Sequence, residues 1–103
     1  MRQLDFDWDE NKRRDNIEKH GVDLLFAAAI FDGDTVTQRD MRNEYGEERF
    51  QTIGYVDGEC YVVVYAERDG IVRLISARRG GRRDRRRYQK GNAGRDSGHE
   101  GQG

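Results

Sequence analysis

Leu4-Asp5-Phe6-Asp7-Trp8 alternates apolar and acidic positions, the period of a half-buried strand that turns Leu4, Phe6 and Trp8 to one side. Asp9 then has the chemistry of a helix N-cap, and Asn11 to His20 runs without glycine or proline to Gly21, which can close the helix. This helix is nearly devoid of apolar residues. Only Ile17 and the stems of its longer side chains offer packing, which predicts a surface helix. Asp23 can cap a second helix through Leu24-Leu25-Phe26-Ala27-Ala28-Ala29-Ile30-Phe31, the most apolar helical segment of the chain and the expected core helix. Asp32-Gly33-Asp34 ends it, and Thr35-Val36-Thr37-Gln38 predicts a short strand before a polar loop from Arg39 to Gly46.

From Glu48 the period changes. Arg49 to Val56, Cys60 to Arg68 and Ile71 to Ala77 are three β-rich runs joined by Asp57-Gly58 and Asp69-Gly70, the dipeptides that tight hairpins favour. The middle run is almost continuously apolar, as a central strand covered on both faces should be. Arg78 to Lys90 carries eight basic residues and one acid, Asp84, and predicts a basic terminal helix whose start Gly80-Gly81 delays. Beyond it, residues 91–103 show no apolar periodicity and read as a disordered glycine-rich tail on a domain of residues 1–90. The expected fold is a small single α+β domain: two N-terminal helices packed on an antiparallel β-meander, one sheet face left open for work, and a basic C-terminal helix.

Composition narrows the function classes. A chain of 103 residues holds one core, and a charged share of 38% against 34% apolar residues makes that core thin. No window approaches a membrane span and the N-terminus lacks the apolar stretch of a secretory signal, so a cytoplasmic protein without membrane contact is expected. Cys60 stands alone, and His20 and His99 are far apart, so neither a disulfide nor a metal site is indicated. The net charge of −1 conceals an asymmetry: residues 1–60 carry 8 basic and 15 acidic side chains, residues 61–103 carry 11 and 5. The basic end suits a polyanion such as nucleic acid; the acidic end limits non-specific association or serves a basic partner.

Neither a phosphate-binding glycine loop nor a nucleophilic serine elbow is present. What remains is arginine, histidine, tyrosine and scattered carboxylate, the equipment for acting on a phosphodiester without a metal or other cofactor. Cleavage of RNA by its own 2′-hydroxyl needs a base, cations to hold charge on the phosphorane and an acid for the leaving 5′-oxygen. Arg73, Arg78 and Arg79, at the end of the last strand, can supply the planar charged fork that grips phosphate. His20 is the histidine inside the expected fold, and an imidazole can give or take a proton near neutrality, although a histidine before a closing glycine also serves as a helix cap. Glu67 and Tyr65 on the central strand, and Arg42, Tyr45, Glu47 and Arg49 around Gly46, are further polar groups that serve equally as surface or turn chemistry. Cys60 reads as a buried thiol.

Phe6-Asp7-Trp8-Asp9, Asn11-Lys12, Asn16, Lys19-His20-Gly21-Val22, Phe31-Asp32, Tyr45-Gly46-Glu47-Glu48-Arg49, Ile53-Gly54, Val64-Tyr65 and Arg73-Leu74-Ile75-Ser76-Ala77-Arg78-Arg79 follow one another in an order that resembles the BrnT family of toxins from bacterial type II toxin–antitoxin systems. The resemblance covers about residues 5–90. It implies a RelE-like fold and a metal-independent endoribonuclease that cleaves RNA and so inhibits translation. It further implies neutralisation by a BrnA-like antitoxin in a hetero-oligomer, with operator DNA reached only through that antitoxin. The matching positions His20, Arg49, Arg73, Arg78 and Arg79 are the candidate site, with acid and base unassigned. The alternative is a non-catalytic nucleic-acid-binding module or corepressor acting with a DNA-binding antitoxin, its arginines touching phosphates only.

Overall fold

A computed structural model of the protein describes residues 4–42 and 46–100, the side chains of 93–100 excepted; Tyr45 lies outside the described residues. The strands are β1 (Asp5–Asp7), β2 (Val36–Arg39), β3 (Phe50–Val56), β4 (Glu59–Arg68) and β5 (Ile71–Arg79). The helices are α1 (Glu10–His20), α2 (Leu24–Ala27), which runs on as a 3₁₀ helix over Ala28–Asp32, and α3 (Arg82–Glu100). The protein is thus a small α+β domain around one five-stranded sheet of order β1-β5-β4-β3-β2. Neighbours β3–β4 and β4–β5 pair antiparallel, as does β2 with β3, but β1 lies parallel to β5 with Phe6 opposite Val72. The sheet is therefore mixed, a correction to the expected antiparallel meander. A parallel partner reaches β5 because α1, α2 and the strands between carry the chain back across the sheet, a long-range closure that no local pattern encodes.

The local chemistry of α1 is as its sequence indicates. Asp9 Oδ1 accepts from the backbone N–H of Asn11 at 2.8 Å and of Lys12 at 3.3 Å, and Gly21, at φ 67°, closes the helix by donating its N–H to the Ile17 carbonyl at 2.8 Å. What holds α1 to the sheet is different from the expectation. Ile17 remains 43% exposed, and the buried residue of the helix is Asn16. Its Nδ2 donates to the carbonyls of Val22 and Ala77, both at 2.8 Å, and its Oδ1 accepts from the Ala77 N–H at 3.1 Å. One amide side chain so ties α1, the turn after it and β5 together, with each polar atom satisfied.

The segment expected as one core helix divides into an α turn and a 3₁₀ turn. This tightening lets Leu24, Ala27, Ala28 and Ile30 all reach the core, where they pack with Tyr61, Val63, Val72, Leu74 and Ala77 on one face of the sheet. Phe31 reaches across to Phe6 and Tyr65, with ring centroids 5.7 and 5.5 Å apart. The other face is not wholly open, as the sequence led us to expect. Helix α3 crosses it, and Tyr88 packs with Ile53, Tyr55, Cys60 and Val62 in a second, smaller cluster. The boundary placed between residues 90 and 91 falls inside this helix. Gly91 belongs to its packed part, since a Cβ there would stand 2.6 Å from a methyl of Val36. Gly80 is equally constrained, because a Cβ would stand 2.4 Å from the Cys60 sulfur.

Replacing Asn16 by Ala strands the N–H and carbonyl of Ala77 and the Val22 carbonyl in a buried seam. Urea denaturation should show a loss of about 2–4 kcal/mol in stability, whereas Ile17→Ala should change it by less than about 1 kcal/mol, as exposed substitutions do.

Candidate functional site

The seam made by Asn16 sets where the chemistry falls. His20 lies one turn after Asn16 on α1 and so is delivered beside the end of β5, where Ser76 and Arg78 stand. Together with Arg42, Gln51, Val62, Val64 and Ala77 these residues line a cleft of about 150 Å³ beside α3. Strand pairing explains its floor: Gln51, Val64 and Ser76 form one register row across β3, β4 and β5, and Val62 faces Arg78 in the next row. Val62 also belongs to the cluster under Tyr88, so α3 and the cleft share a wall.

Each of the two arginines at the cleft is held by a buried carboxylate. Arg78 donates from Nη1 to Asp84 Oδ2 at 2.8 Å and from Nη2 to Asp84 Oδ1 at 3.3 Å, and Asp84 also accepts from the Gly81 N–H at 2.8 Å. The last bond is half of a capping box at the start of α3. Arg42 donates from Nε and Nη2 to the two oxygens of Asp40, both at 2.8 Å, and that carboxylate side chain is fully buried. Yet the arginine side chains stay 45% and 61% exposed. A guanidinium with one edge fixed and the remainder accessible is preorganised to take an anionic oxygen without losing rotamer freedom at that moment. The Arg78 guanidinium holds the Asp84 carboxyl below the usual carboxylate range against the opposing effect of burial.

Along the same face, towards β1, a second group of charges gathers around Glu47. Arg68 donates to it at 2.8 Å, Arg49 lies 3.8 Å away, and Arg73, ion-paired with Asp7, contributes from β5. The Arg68 hydrogen bond, then the charges of Arg68, Arg49 and Arg73, lower the Glu47 carboxyl. Glu47 and Arg68 also border a wider hollow of about 550 Å³, whose other lining includes Glu48, Glu67 and Asp69 and whose acidic rim is unsuited to a phosphate.

Of the five residues singled out in the sequence, His20 and Arg78 line one cleft. Arg73 and Arg49 belong to the Glu47 group farther along the same face. Arg79, opposite Tyr61, alternates to the other face and is exposed. Arg42, Gln51 and Ser76 join the cleft although the sequence did not mark them as site residues. Arg42 stood out only as one of several charges around Gly46, and nothing local distinguishes Gln51 or Ser76 from other strand residues. Cys60, 3% exposed, takes no part, and burial pushes its thiol up. Among the described residues no group of three or more His, Cys, Asp or Glu is placed to hold a metal ion, and no helix is long and apolar enough to cross a membrane.

This small α+β domain, with a histidine and two braced arginines around one cleft, falls on comparison with known proteins in the class of the ribonuclease toxins of toxin–antitoxin systems. Residues 8–84 match the family described as "Ribonuclease toxin, BrnT, of type II toxin-antitoxin system". The chain belongs to the BrnT family. The crystal structure of the Brucella abortus ribonuclease toxin BrnT shares the fold with a TM-score of 0.53 at 23% identity, over 78% of this chain and all of that one. Comparison with curated proteins found no match.

The lowered carboxyls fix a pH dependence. Asp23, held down chiefly by its hydrogen bonds from Arg13, and Asp84, held down chiefly by Arg78, bind protons less readily folded than unfolded. Their contribution to stability is complete above the unfolded carboxyl value of about 3.9 and is lost as pH falls through the lower folded values. Urea midpoints measured from pH 6 downward should therefore drop in the acid range, and Asp84→Asn should be less stable at pH 6 with a shallower acid drop.

Proposed function

We propose that this protein is the toxin of a type II pair and acts as a RelE-like, metal-independent endoribonuclease, with the scissile phosphate seated in the cleft between His20 and Arg78. The observation that carries this reading is the meeting of those two side chains from α1 and β5 in one cleft. In cleavage by the RNA's own 2′-hydroxyl, that oxygen attacks the adjacent phosphorus, its proton leaves to a base, and the bond to the 5′-oxygen breaks as that oxygen gains a proton. His20 serves one of these two proton transfers. Arg78 and Arg42, fixed by Asp84 and Asp40, carry the negative charge that builds on the non-bridging oxygens, and Gln51 and Ser76 offer neutral hydrogen bonds on the floor.

Membership of the family implies an antitoxin partner. We take it to be a BrnA-like protein that neutralises the toxin in a hetero-oligomer, with operator DNA bound through the antitoxin and RNA cleavage in the cytoplasm slowing translation.

Induced expression of the chain without its partner should arrest growth and fragment cellular RNA. His20→Gln and Arg78→Gln should each lower cleavage of purified RNA by about 10²–10⁴-fold, the range of a lost proton-transfer or charge-stabilising group, with unchanged far-UV circular dichroism. Chelators should leave wild-type cleavage intact. Cleavage by folded variants at the wild-type rate would reject the cleft as the site, and intact RNA in arrested or growing cells would reject the ribonuclease reading.

A further inference from the structure

Helix α3 sorts its side chains by the α-helical period. Asp84, Tyr88 and Gly91, spaced i, i+4, i+7, turn to the sheet: Asp84 to Arg78, Tyr88 to Tyr55 with ring centroids 4.9 Å apart, and Gly91 to Val36. Arg83, Arg86, Arg87 and Lys90, spaced i, i+3, i+4, i+7, form a second stripe about 10 Å long. Arg85 donates to the Gly80 carbonyl at 3.1 Å, and Gly80 in turn is bonded to Cys60 at the β3–β4 hairpin end of the sheet, so by the helical period the stripe lies on the opposite flank of α3, the cleft side. The single acid between Arg78 and Lys90 is Asp84, and it is turned inward and occupied. Arg83, Arg86 and Lys90 are exposed, and none is bonded to a carboxylate among the described residues.

The arginines of the cleft are in the opposite condition. Arg78 and Arg42 are each closed by a carboxylate, so each pair is close to neutral at a distance and acts only on an oxygen already in contact. Attraction of a polyanion from solution must come from cations without a counter-charge, and four cations stand along one face of α3. The cleft, at about 150 Å³, is small beside a whole nucleotide, so contacts that hold a longer chain must lie outside it.

We infer that the stripe Arg83, Arg86, Arg87 and Lys90 is a backbone track for single-stranded RNA, holding phosphates that flank the nucleotide in the cleft. The inference rests on the ribonuclease reading for its choice of polyanion. Four cations along one helix face offer charge without base-reading geometry, so the track is indifferent to sequence, and selectivity belongs to the cleft.

The test compares wild type with the triple variant Arg83→Gln, Arg86→Gln, Lys90→Gln, which leaves Arg78, Arg42 and His20 untouched. Binding of a labelled 2′-O-methyl oligouridylate, which lacks the attacking hydroxyl, is measured by anisotropy between about 50 and 200 mM salt. Loss of three phosphate contacts should flatten the slope of log K against log salt by about 2. Arg83→Lys with Arg86→Lys should keep the wild-type slope, since charge alone is used. Cleavage of a dinucleoside monophosphate, which reaches only the cleft, should be unchanged in the triple variant while kcat/KM on long RNA falls. An unchanged slope in a helical, folded triple variant overturns the track. So does displacement of the oligouridylate from wild type by poly-glutamate that leaves no stripe-dependent RNA slope, which would make the stripe a docking face for an acidic protein segment. A stripe-dependent slope in a protein that cuts neither substrate upholds the track and rejects the ribonuclease reading.

Discussion

A single buried amide, Asn16, sets the geometry on which the rest of the molecule depends. Its bonds to Val22 and to both backbone groups of Ala77 seat α1 against β5, and β5 is the strand through which most of the structure communicates. It pairs parallel with β1 on one side and antiparallel with β4 on the other, and its end leads directly into α3. A helix with almost no apolar surface has little hydrophobic reason to dock. A fully satisfied polar bridge in a dry seam supplies both attachment and register, because any slip strands two or three buried polar groups. His20 and Arg78 line one cleft for this reason, not because either residue seeks the other.

The charge-rich face of the sheet shows the same economy. Most arginines on it are braced by a carboxylate: Arg42 by Asp40, Arg73 by Asp7, Arg78 by Asp84, and Arg49 and Arg68 by Glu47. The solvent-exposed pairs among these, such as Arg73 with Asp7, contribute little to stability. Their value is positional, since a guanidinium held along one edge keeps its plane while a ligand oxygen approaches the other. The acidic excess of residues 1–60 thus has a structural use, as it supplies three of these braces, Asp7, Asp40 and Glu47. Basic residues on the cleft side of α3 are left without such partners, and the electrostatic asymmetry seen along the chain becomes an asymmetry in space.

The core is divided by the sheet into two unequal parts. Leu24, Ile30, Val63 and Leu74 fill the larger one, while Ile53, Cys60 and Val62 fill the smaller one under Tyr88. Close approach makes the smaller part possible: Gly80 sits against the Cys60 sulfur and Gly91 against Val36, and a methyl group at either position would push α3 off the sheet. These two glycines do the packing that a polar, arginine-rich helix cannot do with large side chains.

The sequence alone determined the local elements and the family. The alternation in Asp5 to Trp8, the Asp9 cap with its closing Gly21, and the two Asp-Gly turns specify their structures through interactions within a few residues, and these can be read from any stretch of chain. The run of BrnT-like motifs likewise named the family to which the chain belongs. Tertiary structure decided what depends on contacts between distant residues. It turned Asn16 rather than Ile17 inward, split the apolar helix into an α and a 3₁₀ turn, laid β1 parallel to β5, and folded α3 over half of a face that the pattern left open. It also parted the candidate residues, bringing His20 and Arg78 into one cleft with Arg42, Gln51 and Ser76 while sending Arg79 to the opposite face. Which side of a strand a residue takes follows from register, and register is fixed only when the whole sheet is assembled.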